Sequence, residues 1–80
     1  MKLPRDINAT ELVKLLNKFG YTQSRQKGSH IRMTTLQNGK HNITVPNHSP
    51  IRTGTLNQII SDVASHFNKS KDEILASLFS

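Results

Sequence analysis

The sequence predicts an α+β fold in the order α-β-β-β-α, with a three-stranded antiparallel sheet and a short extra helix at the C-terminus. Three observations support this prediction. Two segments repeat apolar residues at helical spacing, the stretch between them contains short segments separated by turn residues, and a Ser-x-x-Glu pattern precedes a final apolar run. The 80 residues suffice for one small domain, residues 1–80. Hairpin-linked strands with helices on one face of the sheet fit this order.

The first helix is predicted to span about residues 9–19. Asn8 is a favourable N-cap and Glu11 follows three residues later, which is the spacing of a capping box. Gly20 is placed to end the helix. The apolar stripe consists of Leu12, Leu15, Leu16 and Phe19.

Three strands are predicted at residues 21–26, 29–36 and 41–45. The first strand is polar, which suits the edge of a sheet. Pro46 is expected to end the third strand because proline cannot donate a backbone hydrogen bond. Lys27-Gly28 is a candidate two-residue turn between the first two strands.

The hydrophobic pattern also predicts how the second and third strands pair. A three-residue loop, Gln37-Asn38-Gly39, would keep the apolar side chains on one face, with Gly39 in the left-handed conformation. The resulting pairs are Met33 with Ile43 and Ile31 with Val45. The side chains expected on the outer face are His30, Arg32, Asn42 and Thr44.

The second helix is expected to begin at Thr53 or Gly54, after a loop that starts at Pro46. Its apolar stripe is Leu56, Ile59, Ile60, Val63 and Phe67. Ser70 and Glu73 form a second capping-box pattern. This pattern opens a short third helix with the apolar residues Ile74, Leu75 and Leu78.

The charges are unevenly distributed along the chain. There are 11 Lys and Arg residues against 5 Asp and Glu, for a net charge of +6, and every acid lies outside residues 12–61. The bases inside that window are Lys14, Lys18, Arg25, Lys27, Arg32, Lys40 and Arg52. An acid-free basic segment favours a polyanionic partner, nucleic acid first. A surface that is merely solubilising is the alternative.

Several classes of protein are excluded or disfavoured. The chain contains no Cys, which excludes disulfides and thiolate chemistry. Apolar runs are too short for a membrane span, and the N-terminus lacks a signal-peptide core, so a cytoplasmic protein is expected. The spacing of His30, His41 and His48 matches no compact zinc motif, and residues 12–61 offer no carboxylate. Neither a metal site nor a cofactor is therefore predicted.

His30 is the main candidate for chemistry. It follows Gly28-Ser29, and a Lys27-Gly28 turn would place Arg25 directly opposite it. Histidine can exchange protons near neutral pH, and Arg and Lys can hold phosphate. RNA supplies its own nucleophile, the 2′-hydroxyl, so one histidine in basic surroundings could suffice. A non-catalytic histidine in a binding face stays open. His66 is expected to be structural or neutral, and no function is predicted for His41.

The loop before the second helix is a second candidate site. The helix begins without an acid, so its free N–H groups could receive a phosphate. Arg52 and His48 could assist. A simple Gly-containing helix start is the equally open alternative.

Three segments of the chain together resemble the HicA family of toxin–antitoxin toxins over about residues 2–75. The segments are Lys2-Leu3-Pro4-Arg5-Asp6, Arg25-Gln26-Lys27-Gly28-Ser29-His30, and Val45-Pro46-Asn47-His48 followed by Gly54-Thr55-Leu56. The resemblance implies a fold like the double-stranded RNA-binding domain, endoribonuclease activity on mRNA, and neutralisation by a HicB-type antitoxin. It also implies that His30 is the catalytic residue, that Gly28 is the family's turn glycine, and that His48 occupies a recurrent position. The polar first strand departs from the family's more apolar one.

The function favoured is therefore a metal-independent endoribonuclease with His30 as its catalytic residue. The residues expected to contact RNA are Arg25, Lys27, Gly28, Ser29, Arg32, His48 and Arg52. An antitoxin is expected to cover the His30 face in a hetero-oligomeric complex. The alternatives are a non-catalytic module that binds double-stranded RNA and a domain that only docks an acidic protein.

Overall fold

A computed structural model describes residues 3–79 and confirms the predicted α+β order. The helices are α1 (Ala9–Leu16), extended by a 3₁₀ turn (Asn17–Phe19), α2 (Thr53–Phe67) and α3 (Lys71–Phe79). The strands are β1 (Thr22–Lys27), β2 (His30–Thr35) and β3 (His41–Pro46). They form an antiparallel sheet in the order β1-β2-β3. Pro46 is the last residue of β3, so the prediction that this strand stops before it was short by one residue.

Both predicted capping boxes are present. The Asn8 side chain accepts a hydrogen bond from the Glu11 backbone N–H at 2.8 Å, and the Glu11 carboxylate accepts from the Asn8 N–H at 3.4 Å. The Ser70 hydroxyl accepts from the Glu73 N–H at 3.1 Å, and the Glu73 carboxylate accepts from the Ser70 N–H at 3.0 Å. These reciprocal bonds satisfy donors that have no partner within the helix, and so they set where α1 and α3 begin.

The register between β2 and β3 is the predicted one. Met33 pairs with Ile43, and Ile31 pairs with Val45. Asn38 and Gly39 take φ values of +57° and +94°, so two consecutive residues of the connecting loop are left-handed. The Asn38 side chain also donates to the backbone carbonyl of His66 at 2.7 Å, which attaches this loop to α2.

The predicted register between β1 and β2 is wrong. The turn is Gly28-Ser29 rather than Lys27-Gly28, so Lys27 lies opposite His30 and Arg25 lies opposite Arg32. Gly28 has φ +58° and occupies the first turn position, where a type II′ hairpin turn requires a glycine. The register then shifts between Gln23 and Arg25, because Ser24 is an extra residue in β1.

The core lies on one face of the sheet. The inward residues of β2 and β3 are buried against apolar residues from all three helices, including Leu12, Leu56, Ile60 and Ile74. Every residue of β1 is exposed, as expected for a polar edge strand. The opposite face of the sheet has no helix over it in the described residues, and its side chains are exposed along β2 and β3 except where Thr34 and Pro46 are half-buried. Within residues 3–79 no helix has the length and apolar character needed to cross a bilayer.

Candidate functional site

His30 lies in a basic groove on the outer face of the sheet. Alternation along the strands places the side chains of opposed residues on the same face. The groove is lined by Arg25, Lys27, His30, Arg32 and Thr44, and all five side chains are exposed. We call it the His30 groove. Its residues all lie in the window without Asp or Glu, so the groove combines an imidazole with three permanent positive charges.

The backbone holds His30 between two neighbouring strands. It is the first residue of β2 and lies opposite Lys27 of β1 on one side and Pro46 of β3 on the other. Within residues 3–79 its imidazole has no hydrogen-bond partner, so both ring nitrogens are available to a ligand. An exposed, unengaged imidazole among cations can take a proton from, or give one to, a bound phosphate ester.

The turn that precedes His30 is fixed by a contact with a distant segment. The Ser29 carbonyl accepts a hydrogen bond from the Asn47 backbone N–H at 2.6 Å. Gly28 forms the tip of the hairpin, with open space around its Cα. Gly28 and Ser29 therefore lie beside the His30 groove, and the contact with Asn47 positions the backbone from which His30 projects.

His48 and Arg52 lie in the loop between β3 and α2, outside the His30 groove. The His48 N–H donates to the Pro46 carbonyl at 2.8 Å, its carbonyl accepts from the Ala9 N–H at 3.3 Å, and its side chain is exposed. Arg52 is exposed at the N-cap position of α2, where no side chain caps the helix. The structure thus does not place these two residues with Arg25, Lys27 and Arg32.

The segments quoted for the family resemblance nevertheless converge at one end of the molecule. Asn47 bonds to Ser29, as described above, and the Ile51 N–H donates to the Ile7 carbonyl at 2.8 Å. The N-terminal segment, the β1–β2 turn and the loop before α2 are therefore neighbours. Lys2, the first residue of the N-terminal segment, lies outside the described residues.

A second groove adjoins the first and contains residues that the sequence analysis did not select. It is lined by Ser24, Arg25, Arg32, Thr34, Lys40 and Asn42, and we call it the Lys40 groove. Arg25 and Arg32 belong to both grooves. The predicted β2–β3 register already placed Asn42 on the outer face, and Lys40 is two residues earlier. The two-residue period was therefore the signal that could have identified Lys40.

The other two histidines belong to a structural cluster. The rings of His41 and His66 stack with centroids 4.4 Å apart. Burial, and then the neighbouring His66, lower the pKa of His41, while Asp62 opposes this effect. Burial, together with Asp62, raises the pKa of Tyr21 to about 12. The Tyr21 hydroxyl is therefore protonated and can donate to His41 Nδ1 at 2.7 Å.

His66 connects α2 to the β2–β3 loop. Its Nε2 lies 2.9 Å from the Gln37 carbonyl oxygen and 3.0 Å from the Gly39 carbonyl oxygen, so this nitrogen carries the proton and donates. These bonds support the structural role expected for His66. Across residues 3–79, no three His, Asp or Glu side chains come together in a group that could hold a metal ion.

Comparison with protein families shows the family to which the chain belongs. Residues 9–64 match the family described as the HicA toxin of bacterial toxin–antitoxin systems. The match runs from α1 to the last turns of α2, so it includes the sheet, both grooves and the loop with His48 and Arg52. The protein therefore belongs to the HicA toxin family, and a toxin of this kind has an antitoxin partner. Comparison with curated proteins and with solved structures gives no match.

Proposed function

We propose that this toxin is a metal-independent endoribonuclease that cleaves mRNA and that His30 is its catalytic residue. The observation that supports the proposal best is the position of His30, exposed and unpaired in a groove with Arg25, Lys27 and Arg32. Family membership supplies the toxin role. The groove accounts for how so small a chain could act, because RNA brings the nucleophile and the protein needs only to move protons and hold phosphate.

The reaction proceeds by attack of a ribose 2′-oxygen on the adjacent phosphorus. The bond from the 2′-oxygen to phosphorus forms, the bond from phosphorus to the 5′-oxygen breaks, and the products are a 2′,3′-cyclic phosphate and a 5′-hydroxyl. His30 either takes the proton from the 2′-hydroxyl or gives one to the departing 5′-oxygen. Arg25, Lys27 and Arg32 hold the phosphate and offset the charge that develops on it. DNA, which lacks the 2′-hydroxyl, is not cleaved.

The composition around the site supports the proposed metal independence. Two-metal nucleases hold their ions with carboxylates. The residues that line the His30 groove all belong to the window from 12 to 61, which contains no Asp or Glu. The arginine and lysine side chains take the place that cations occupy in a metal-dependent enzyme.

The remaining predicted site residues have supporting roles in this proposal. Gly28 and Ser29 shape the turn that presents His30, and the Ser29 carbonyl is already bonded to Asn47. His48 and Arg52 lie in the adjoining loop before α2 and contact RNA beyond the scissile phosphate. A HicB-type antitoxin covers the basic face in a hetero-oligomeric, cytoplasmic complex, because a free ribonuclease would damage its host.

A non-catalytic module for double-stranded RNA is the competing function, and the α-β-β-β-α order favours it. Such modules grip the phosphates of a duplex with Lys and Arg at the start of their last main helix. In this chain residues 54–65 contain no Lys or Arg, and Arg52 is the nearest base before them. The charges therefore favour the His30 groove over α2 as the RNA-binding surface.

Induced expression in bacteria tests the proposal. Wild-type protein should stop growth and degrade transcripts, whereas His30→Ala should do neither, and co-expression of the antitoxin should restore growth. Because His30 is exposed and unpaired, the substitution should change the free energy of unfolding by less than about 0.5 kcal/mol. Transcript loss with His30→Ala equal to that of the wild type, at the same protein level, would remove His30 from the mechanism.

A further inference from the structure

The outer face of the sheet carries successive rows of side chains that cross the strands. The rows are Lys27 with His30, then Arg25 with Arg32 and Thr44, then Thr34 with Asn42. Lys40 comes two residues before Asn42 and lines the same groove, so it extends this surface beyond the third row. Basic residues therefore continue from His30 toward the other end of the sheet.

The third row is organised by hydrogen bonds between side chains. The Thr34 hydroxyl donates to Asn42 Oδ1 at 2.6 Å and contacts the Ser24 hydroxyl at 3.0 Å. The Ser24 hydroxyl lies 3.3 Å from the Arg32 carbonyl and can donate to it. Since Asn42 Oδ1 is already an acceptor in this network, the amide offers a ligand its two N–H donors.

The Lys40 groove has the chemistry of an anion site. Arg25, Arg32 and Lys40 provide three positive charges, and Asn42 provides neutral donors. Its residues all lie in the acid-free window. Successive rows are separated by two residues of an antiparallel strand, about 6.8 Å. Phosphates that follow one another along an extended polynucleotide are separated by a similar length, so one strand of RNA could place adjacent phosphates in adjacent grooves.

A polynucleotide backbone fits these grooves better than a protein does. Every residue that lines them is polar or basic, whereas the buried centre of a protein interface is rich in aromatic and apolar anchors. The four aromatic residues are not available on this face: Phe19 and Tyr21 are buried in the core, and Phe67 and Phe79 are half-buried against it. No Phe or Tyr ring on this face is therefore available to stack on a base, and its Lys and Arg side chains favour contacts with the phosphate backbone.

We infer that the Lys40 groove is a binding subsite for the phosphate next to the scissile one in single-stranded RNA. The inference rests on the proposed function for the position of the scissile phosphate in the His30 groove. Arg25 and Arg32 lie between the two phosphates and can contact both, while Lys40 and Asn42 contact the neighbouring phosphate alone. Lys40 thus contributes to affinity for RNA without taking part in proton transfer.

Binding of a labelled octauridylate to the His30→Ala protein, measured across a salt series, tests this subsite. Adding Lys40→Gln should weaken binding about fivefold at low salt and reduce the slope of log affinity against log salt by about 0.7, the value for one phosphate contact on a single strand. The control is Lys14→Gln, which removes the same charge from the exposed surface of α1 and should change neither quantity as much. In the protein that retains His30, Lys40→Gln should raise KM with little change in kcat.

The outcomes separate this inference from the proposed function. If Lys40→Gln and Lys14→Gln have the same affinity and salt slope, the subsite is wrong, whether or not the wild type cleaves RNA. If the wild type does not cleave RNA but binding depends on Lys40, the nuclease proposal fails, and the Lys40 groove stands as a phosphate-binding site for RNA without a scissile neighbour. If Lys40→Gln spares RNA binding and weakens only the antitoxin complex, the groove docks a protein and the inference is overturned.

Discussion

At the scale of single residues, the glycines show how the backbone restricts the sequence. Gly20 has φ +80° where the 3₁₀ turn ends, and a Cβ added there would lie 2.8 Å from the Thr35 hydroxyl oxygen. That hydroxyl is buried and donates to the Phe19 carbonyl at 2.7 Å, so it cannot move away without losing a bond. Gly20 is therefore needed both for its conformation and for the space it leaves.

Replacing Gly20 with Ala should destabilise the protein by about 2 kcal/mol or more, since left-handed strain and a steric clash add together. The matched control is Gly54→Ala in the first turn of α2, where no atom beyond the adjoining residues and nearby helix backbone lies within 4 Å of the new Cβ. There the change should be neutral or slightly stabilising. Chemical denaturation of the two variants measures the difference, and equal stabilities would contradict this account of Gly20.

The residues of the candidate site were predictable from the sequence to different degrees. His30 and its basic neighbours could be selected because charge and type are visible in the sequence. Lys40 was visible as a charge, but its membership of the second groove depends on the sheet bringing it beside Arg25 and Arg32. His48 and Arg52 were selected because they lie in or beside a sequence segment that resembles the family. The structure leaves both outside the His30 groove, because their loop packs against the segment before α1 and the start of that helix.

At the scale of elements, the two hairpins differ in how well the sequence predicts them. β2 and β3 each have an apolar face, so only one register buries Ile31, Met33, Ile43 and Val45 together, and this register was found. β1 is exposed at every position, so no buried side chain specifies its register. The extra residue Ser24 then shifts the pairing again, and alternation cannot reveal such a bulge.

The stacked histidines that link β3 to α2 should make folding sensitive to acid. Because the pKa of His41 is lowered from its ordinary value of 6.5, the folded state binds a proton there less readily than the unfolded state. This contribution to stability is complete above pH 6.5 and is lost as the pH falls through the lowered pKa. The melting temperature should therefore decrease as the pH is lowered from 7 to about 5.

The variant His41→Gln should flatten that decrease, since glutamine does not titrate and its carbonyl can still accept from the Tyr21 hydroxyl. Glu73, whose pKa is lowered from 4.5 by hydrogen bonds from Ser70, affects stability only below this pH range. A melting temperature that decreases equally in wild type and variant over the same range would assign the acid sensitivity to other groups.

At the scale of the whole molecule, the apolar core and the candidate site lie on opposite faces of the sheet. One side of the sheet is covered by helices and contains the apolar core, and the other presents the two basic grooves to solvent. Four bases and no acid line the two grooves, so this face attracts a polyanion. An antitoxin with an acidic surface could bind this face. The same contact would then block the candidate site and offset its positive charge.

In the proposed reaction, His30 promotes attack by a ribose 2′-hydroxyl without a metal ion. The most direct measurement uses a DNA strand with a single ribonucleotide, incubated with purified protein and a chelator of divalent ions. We expect one cut, after the ribose, with a 2′,3′-cyclic phosphate and a 5′-hydroxyl at the new ends, and a rate at least about 10²-fold lower with His30→Ala. Cleavage of the all-DNA strand, loss of activity in chelator, or an undiminished rate with His30→Ala would contradict it.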